Sequence, residues 1–267
     1  MKTIGILILL VFFCVACTSD DMALDTGSEY ENSILGILES MNMDRPHDSY
    51  NYPVYPGTAQ WTKFTSGQQM RDACQVPTSV LEKMSTPAVI QAIWEHPLLF
   101  DVFHRYQYQM DFEALFLGNN AYRELCGRKD AVALLTQYLD VVNPVTNSVL
   151  DVGPYILELL LVQDELQSQL DEKEMEALIQ IILKNDKIRQ QDPEPAIRRK
   201  EWAISWLLLG KMMATSGYEP FVKELENDQQ LNSFVNSRTH SYIDVPEREE
   251  KVRQTIIQFA RSFLLML

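Results

Sequence analysis

The stretch DEKEMEALIQII, residues 171–182, decides the fold class. Asp171 followed three residues on by Glu174 has the form of a capping box, in which each side chain accepts a hydrogen bond from the other residue's backbone N–H. Met175, Leu178, Ile179 and Ile182 then recur at spacings of three and four, which gives one apolar face and one charged face. The segment reads as an amphipathic helix. Before it, Tyr155 to Val162 is apolar on every side except at Glu158, the pattern of a helix enclosed by neighbours and too short to cross a bilayer. After it, Asp192-Pro193-Glu194-Pro195 breaks the chain, and a further helix runs from about Ala196 through Trp202, Trp206, Leu207 and Met213 to a stop at Gly217. A shorter helix follows from Glu219. The last begins at Pro246, with Glu247, Glu249 and Glu250 at the favourable end of its dipole. Its stripe of Val252, Ile256, Phe259, Ala260, Phe263, Leu264 and Leu267 is expected to seal the core.

Towards the N-terminus the punctuation is by proline. Pro77, Pro87 and Pro97 each precede a short amphipathic run, with Thr86 and His96 in the N-cap places, so three short helices joined by tight corners are expected. Leu99, Val102, Phe103, Tyr106 and Met110 fall on one face, and helices follow over about 111–126 and 128–142 until Asn143-Pro144 stops the second. The 10 glycines leave little positive-φ geometry for hairpins, and no alternating strand longer than four residues competes. The expectation is an all-α protein of about ten helices in antiparallel pairs, as an irregular α-α superhelical array or an orthogonal bundle.

Across 267 residues, 23 Lys and Arg oppose 37 Asp and Glu, a net charge of −14 that excludes nucleic acid as the principal partner. At the N-terminus Lys2 is followed by an apolar run from Ile4 to Ala16 and then by Cys17, a signal-peptide pattern too short for a membrane span. Cys14-Val15-Ala16-Cys17 resembles the lipobox of bacterial lipoproteins, with Cys14 where an aliphatic residue is usual. That resemblance implies cleavage after residue 16, acylation of Cys17 and a membrane anchor through lipid alone. Asp20-Asp21 resembles the acidic export tag of lipoproteins displayed outside the cell, which implies an outer-membrane, surface-facing location. The expected organisation is a signal peptide over 1–16, a tether over 17–51 interrupted by one short helix within Glu29–Met41, and a single globular domain over 52–267. A monomer is expected.

Cys74 and Cys126 remain as an even pair, which an oxidising compartment could bridge. Against a bridge, Arg71-Asp72-Ala73-Cys74 and Arg123-Glu124-Leu125-Cys126 look like equivalent places in two related helices. Packed helix axes lie ~8–10 Å apart, whereas bridged Cα atoms need about 7 Å or less. Two buried free thiols are the preferred reading. Pro56-Gly57-Thr58-Ala59-Gln60-Trp61, Cys74-Gln75-Val76-Pro77, Met84-Ser85-Thr86-Pro87 and Glu124-Leu125 with Arg128-Lys129-Asp130-Ala131 resemble, in order, a group of secreted helical bacterial proteins of unknown function. The likeness spans about 53–140, supports the all-α reading and carries over no active site.

Chemistry is sparse. Nucleophile-elbow, phosphate-loop, dinucleotide, zinc-protease and EF-hand motifs are all absent and C-x-x-C occurs only in the lipobox-like Cys14–Cys17, so no cofactor and no metal is expected. His96 and His104 with Asp101 between them could make two ligands or an oriented base, but a third ligand is not evident and a capping role for His96 is the simpler reading. Aromatics are denser. Tyr106 and Tyr108 cannot share one helix face, so at least one of them should reach solvent. Tyr50, Tyr52, Tyr55 and Trp61, interleaved with Pro53 and Pro56, form either a strap pinned across the body or a lip at the edge of a groove. The candidate binding surface is therefore Tyr52, Tyr55, Trp61, His104, Tyr106 and Tyr108. The expected function is a non-catalytic binding or scaffolding lipoprotein for a protein, peptide or glycan, with a small secreted hydrolase as the alternative.

Overall fold

Among the residues that the computed structural model describes, 44–103, 108–145, 152–191, 199–236 and 246–267, every regular element is a helix. The α-helices are α1 (Gly67–Ala73), α2 (Thr78–Leu81), α3 (Thr86–Trp94), α4 (Tyr108–Phe116), α5 (Asn120–Gly127), α6 (Ala131–Val141), α7 (Gly153–Leu161), α8 (Asp164–Gln167), α9 (Glu172–Gln190), α10 (Ala203–Thr215), α11 (Glu219–Asn227), α12 (Gln229–Asn236) and α13 (Pro246–Leu264). Single 3₁₀ turns lie at Trp61–Lys63, Leu99–Phe103 and Arg199–Trp202. The signal peptide, Cys17 and the Glu29–Met41 segment lie outside the described residues.

Local side chains set the boundaries. The capping box of α9 is present, with Glu174 N donating to Asp171 Oδ1 at 2.7 Å and Asp171 N to Glu174 Oε2 at 3.0 Å. Gly217, at φ 70°, ends α10 in a Schellman pair: Tyr218 N bonds Met213 O and Gly217 N bonds Ala214 O, both at 3.1 Å. Three boundaries differ from the expectation. Ser85, not Thr86, caps α3, because the Thr86 hydroxyl is engaged with Asp130 at 2.8 Å. After Pro97 the chain forms a 3₁₀ turn, and the His96 ring accepts from Leu98 N at 3.1 Å. The helix expected over 111–126 is two, since Asn119 starts a new one by accepting from Tyr122 N at 3.0 Å.

Packing follows helix pairs. α3 lies on α5, α6 on α7, and α9 on α6, α10 and α13, while α10 also contacts α7, α12 and α13. Several hydrogen bonds between helices join residues 43–45 positions apart, Val76–Asn120, Thr86–Asp130, Asp140–Lys184, Cys126–Gln169 and Pro144–Arg189, while others span 49 (Val162–Lys211) and 54 (Gln109–Gln163). A step near 44 residues is in the range of helix-pair repeats, but the wider separations make the stacking irregular. The Cys74–Cys126 echo is not this step. Cys74 meets Asn119 at the head of α5, whereas Cys126 sits at its tail; both thiols are free, Cys74 buried and Cys126 only half-buried.

The buried apolar side chains form one cluster from Tyr52 to Phe263. The body nevertheless begins before residue 52. Arg45 reaches Glu95 through Nε at 2.6 Å and Nη2 at 2.8 Å, and Asp48 accepts from Ser85 N at 2.7 Å and Oγ at 3.0 Å. The last residues assigned to the tether are thus part of the fold. Along α13, Val252, Ile256, Ala260 and Phe263 are buried as expected, Phe259, Leu264 and Leu267 pack partly, and Leu265 and Met266 project into solvent.

Candidate functional site

The proposed aromatic surface is mostly interior. Tyr52 is 4% exposed, Trp61 8% and Tyr108 0%, and only Tyr55 is half-buried; His104 and Tyr106 lie outside the described residues. The 50–61 cluster is a strap. Pro56-Gly57 forms its bend, with Gly57 at φ 88° and Thr58 N bonding Tyr55 O, the geometry of a type II turn. Tyr52 packs edge-on to Tyr50 at 5.1 Å and to His96 at 5.8 Å, and its hydroxyl donates to Ala92 O at 2.9 Å. Tyr108 meets Phe103 at 5.8 Å. Tyr52 has enough apolar ring to be worth enclosing once its hydroxyl bonds the Ala92 carbonyl, and Tyr108 is enclosed by ring packing.

His96 is sealed between Tyr52 and Phe116, and burial pushes its pKa down to about 3, so the ring is neutral. Among the described residues no group of three or more His, Cys, Asp or Glu could hold a metal ion, and no helix is long and apolar enough to cross a membrane.

Among the concavities of the described residues are two that open to solvent. The deeper is a cavity of about 230 Å³ lined by Gln109 and Glu113 of α4, Asp164 of α8, Leu207 and Lys211 of α10, and Val235 and Asn236 of α12. One wall is an amide pair in which Gln109 Nε2 donates to Gln163 Oε1 at 2.9 Å and Gln163 Nε2 returns a bond to Gln109 Oε1 at 3.1 Å. Gln109 Nε2 also meets Glu113 Oε1 at 3.1 Å, and Gln163 is held to Leu159 O at 2.6 Å. Opposite, Lys211 Nζ bonds Asp164 Oδ1 at 2.7 Å and Val162 O at 3.1 Å. The apolar floor depends on a glycine: a Cβ on Gly210 would come within 2.8 Å of Val235 Cγ2, so α10 and α12 approach this closely only because position 210 lacks one. These residues come from four helices spread over more than a hundred positions. No spacing or motif marks them in the sequence; the nearest signal is Lys211, a cation within an otherwise apolar helical run.

The second concavity, about 420 Å³ and shallower, is lined by Cys126, Gly127, Lys129, Glu165, Ser168 and Gln169. Tyr122 OH lies 3.2 Å from Glu165 Oε2, and burial raises the Cys126 thiol above its usual range, which disfavours the nucleophilic thiolate.

A third polar group is internal. Glu158 of α7, fully buried, pairs with Arg189 of α9 at 3.1 Å, and burial raises its carboxyl pKa. Arg189 also donates to Pro144 O at 3.0 Å and to Ser205 Oγ, and sits 5.5 Å from the centre of the Tyr155 ring. Nearby Asp186 accepts from Trp206 Nε1 at 3.1 Å and from Arg253 at 2.8 Å, tying α9, α10 and α13 together. With the Glu158–Arg189 pair, these bonds join four helices, α7, α9, α10 and α13. No family model matches the chain, and no curated protein or solved structure matches it either, so the likeness of residues 53–140 to secreted helical proteins rests on its own phrases.

Proposed function

We propose that this protein is an envelope or cell-surface lipoprotein, anchored through acylated Cys17, that works as a non-catalytic binding module with the Gln109–Lys211 cleft as its ligand site. The observation that carries the reading is the cleft itself, where polar side chains from four helices converge on one space and the Gln109–Gln163 amide pair fixes one wall in advance. The lipobox-like run ending at Cys17 supports the anchor, and the charge of −14 makes lipid rather than basic adhesion the means of attachment. A hydrolytic role has less behind it: Lys211, the cleft's cation, is engaged by Asp164 and by the Val162 carbonyl rather than poised beside a nucleophile.

Two measurements test this. Cys17→Ser should shift the protein from the membrane to the soluble fraction or leave it uncleaved; unchanged mass and fractionation would refute the anchor. A photo-crosslinking residue at exposed Asn236 should label a component of envelope extract that the same residue at Gln180, on the outer face of α9, does not. Identical labelling from both positions would remove the cleft from consideration.

A further inference from the structure

Resting on the cleft being the ligand site, we infer that it recognises a neutral, hydroxyl-rich ring, a single sugar residue. The argument is one of complementarity. The protein's charge of −14 and the carboxylates of Glu113 and Asp164 on the walls repel an anionic ligand. A cation would meet those carboxylates, but it would also meet the Lys211 ammonium, which stands 2.7 Å from Asp164 in the same cavity. What the walls offer is alternation: carboxylate oxygens only accept, the ammonium only donates, the Gln109 amide, whose two N–H groups are taken by Gln163 and Glu113, can only accept, and the Asn236 amide, with one N–H on Asn232, can do both. A sugar hydroxyl carries one donor and two acceptor positions, so adjacent hydroxyls can donate to Glu113 or Asp164 while accepting from Lys211 or Asn236. An aliphatic amine has donors alone, and an apolar group would leave the lining unsatisfied.

Size and rigidity agree. At about 230 Å³ the cavity is smaller than the ~300–1,000 Å³ of sites for larger organic ligands, which suits one ring whose further residues extend outwards. Gln109 is held on both sides, by Gln163 and Glu113, so its amide is oriented before any ligand arrives.

The test is saturation-transfer NMR on the full chain with glucose, galactose, mannose and N-acetylglucosamine, beside arginine amide, lysine amide and succinate as probes of the other charge classes. At least one sugar should give a saturable signal, weakened tenfold or more in affinity by Glu113→Gln and by Lys211→Met. Asn236→Leu, at an exposed position, serves should either of those fail to fold, each variant being checked by its melting temperature. Silence from all four sugars, or a sugar signal indifferent to these changes, overturns the inference. If arginine or lysine amide binds in a Glu113-dependent way and the sugars do not, the sugar assignment fails while the cleft stands as a ligand site; if no probe binds and crosslinking from Asn236 is nonspecific, both fail.

Discussion

The histidine that looked like half of a metal or acid–base site is an interior group with a pH consequence. With a folded pKa of about 3 against 6.5 for a free side chain, His96 stays neutral in the fold while the unfolded chain takes up a proton, so stability is lost as pH falls from 6.5 towards 3. The difference is worth up to about 5 kcal/mol. His96→Asn keeps an acceptor for Leu98 N–H and removes the titration; its urea midpoint should fall less steeply than the parent's between pH 6.5 and 4. Parallel curves would show that carboxylates alone set the acid limb. The cysteines differ in the same local way. Burial pushes Cys74 to about 12 and leaves Cys126 half-buried, so thiol labelling followed by peptide mapping should modify Cys126 slowly in the folded protein and Cys74 only after denaturation. A Cys74–Cys126 cross-linked peptide would contradict both statements. At this scale the sequence was informative about backbone and poor about exposure: Asp171, Glu174 and Gly217 act on atoms within a few residues of themselves, whereas the fate of Tyr52 depended on distant partners, Ala92 O and the His96 ring.

Helices show the same division. The run Tyr155–Val162 announced a helix enclosed on all sides, and α7 is one, but its lone acid Glu158 became interpretable only once Arg189 of α9 lay against it. A buried pair is weak evidence for net stability, yet removing one member strands a charge. Arg189→Leu should therefore destabilise by about 3–5 kcal/mol, while the double change Glu158→Gln with Arg189→Met should be markedly less damaging than the single one. Chemical denaturation of the three proteins checks this, and equal losses for single and double variants would mean that packing, not charge, holds the crossing. The cleft was illegible for a related reason. Its lining comes from α4, α8, α10 and α12, each contributing one or two residues; Gln109–Glu113 and Leu207–Lys211 have the i,i+4 spacing of any helix face, and nothing in that spacing joins one helix to another.

For the molecule as a whole, α13 is the element on which closure depends. Its buried stripe lies against α9 and α10, and each large side chain enclosed is worth ~1.5–3 kcal/mol, so a chain ending before Glu247 should lose stability comparable to the ~5–15 kcal/mol of a typical domain and aggregate. Leu265 and Met266, 89% and 69% exposed, are outside that stripe, and replacing both with serine should change stability by no more than about 0.5 kcal/mol. Calorimetry distinguishes the two variants: an unchanged melting temperature on removing α13 would make it an appendage. The layer spacing has a different consequence, for chain synthesis. Because the bonds between helices described above, Asp186–Arg253 aside, join residues 54 or fewer positions apart, a chain emerging N-terminus first can complete each layer soon after the next has cleared the exit, without waiting for its end. The Asp186–Arg253 bond, 67 residues apart, is a longer reach and belongs to the last helix out. Order during vectorial emergence should therefore accumulate gradually from the strap onwards, with one late, cooperative step when α13 arrives.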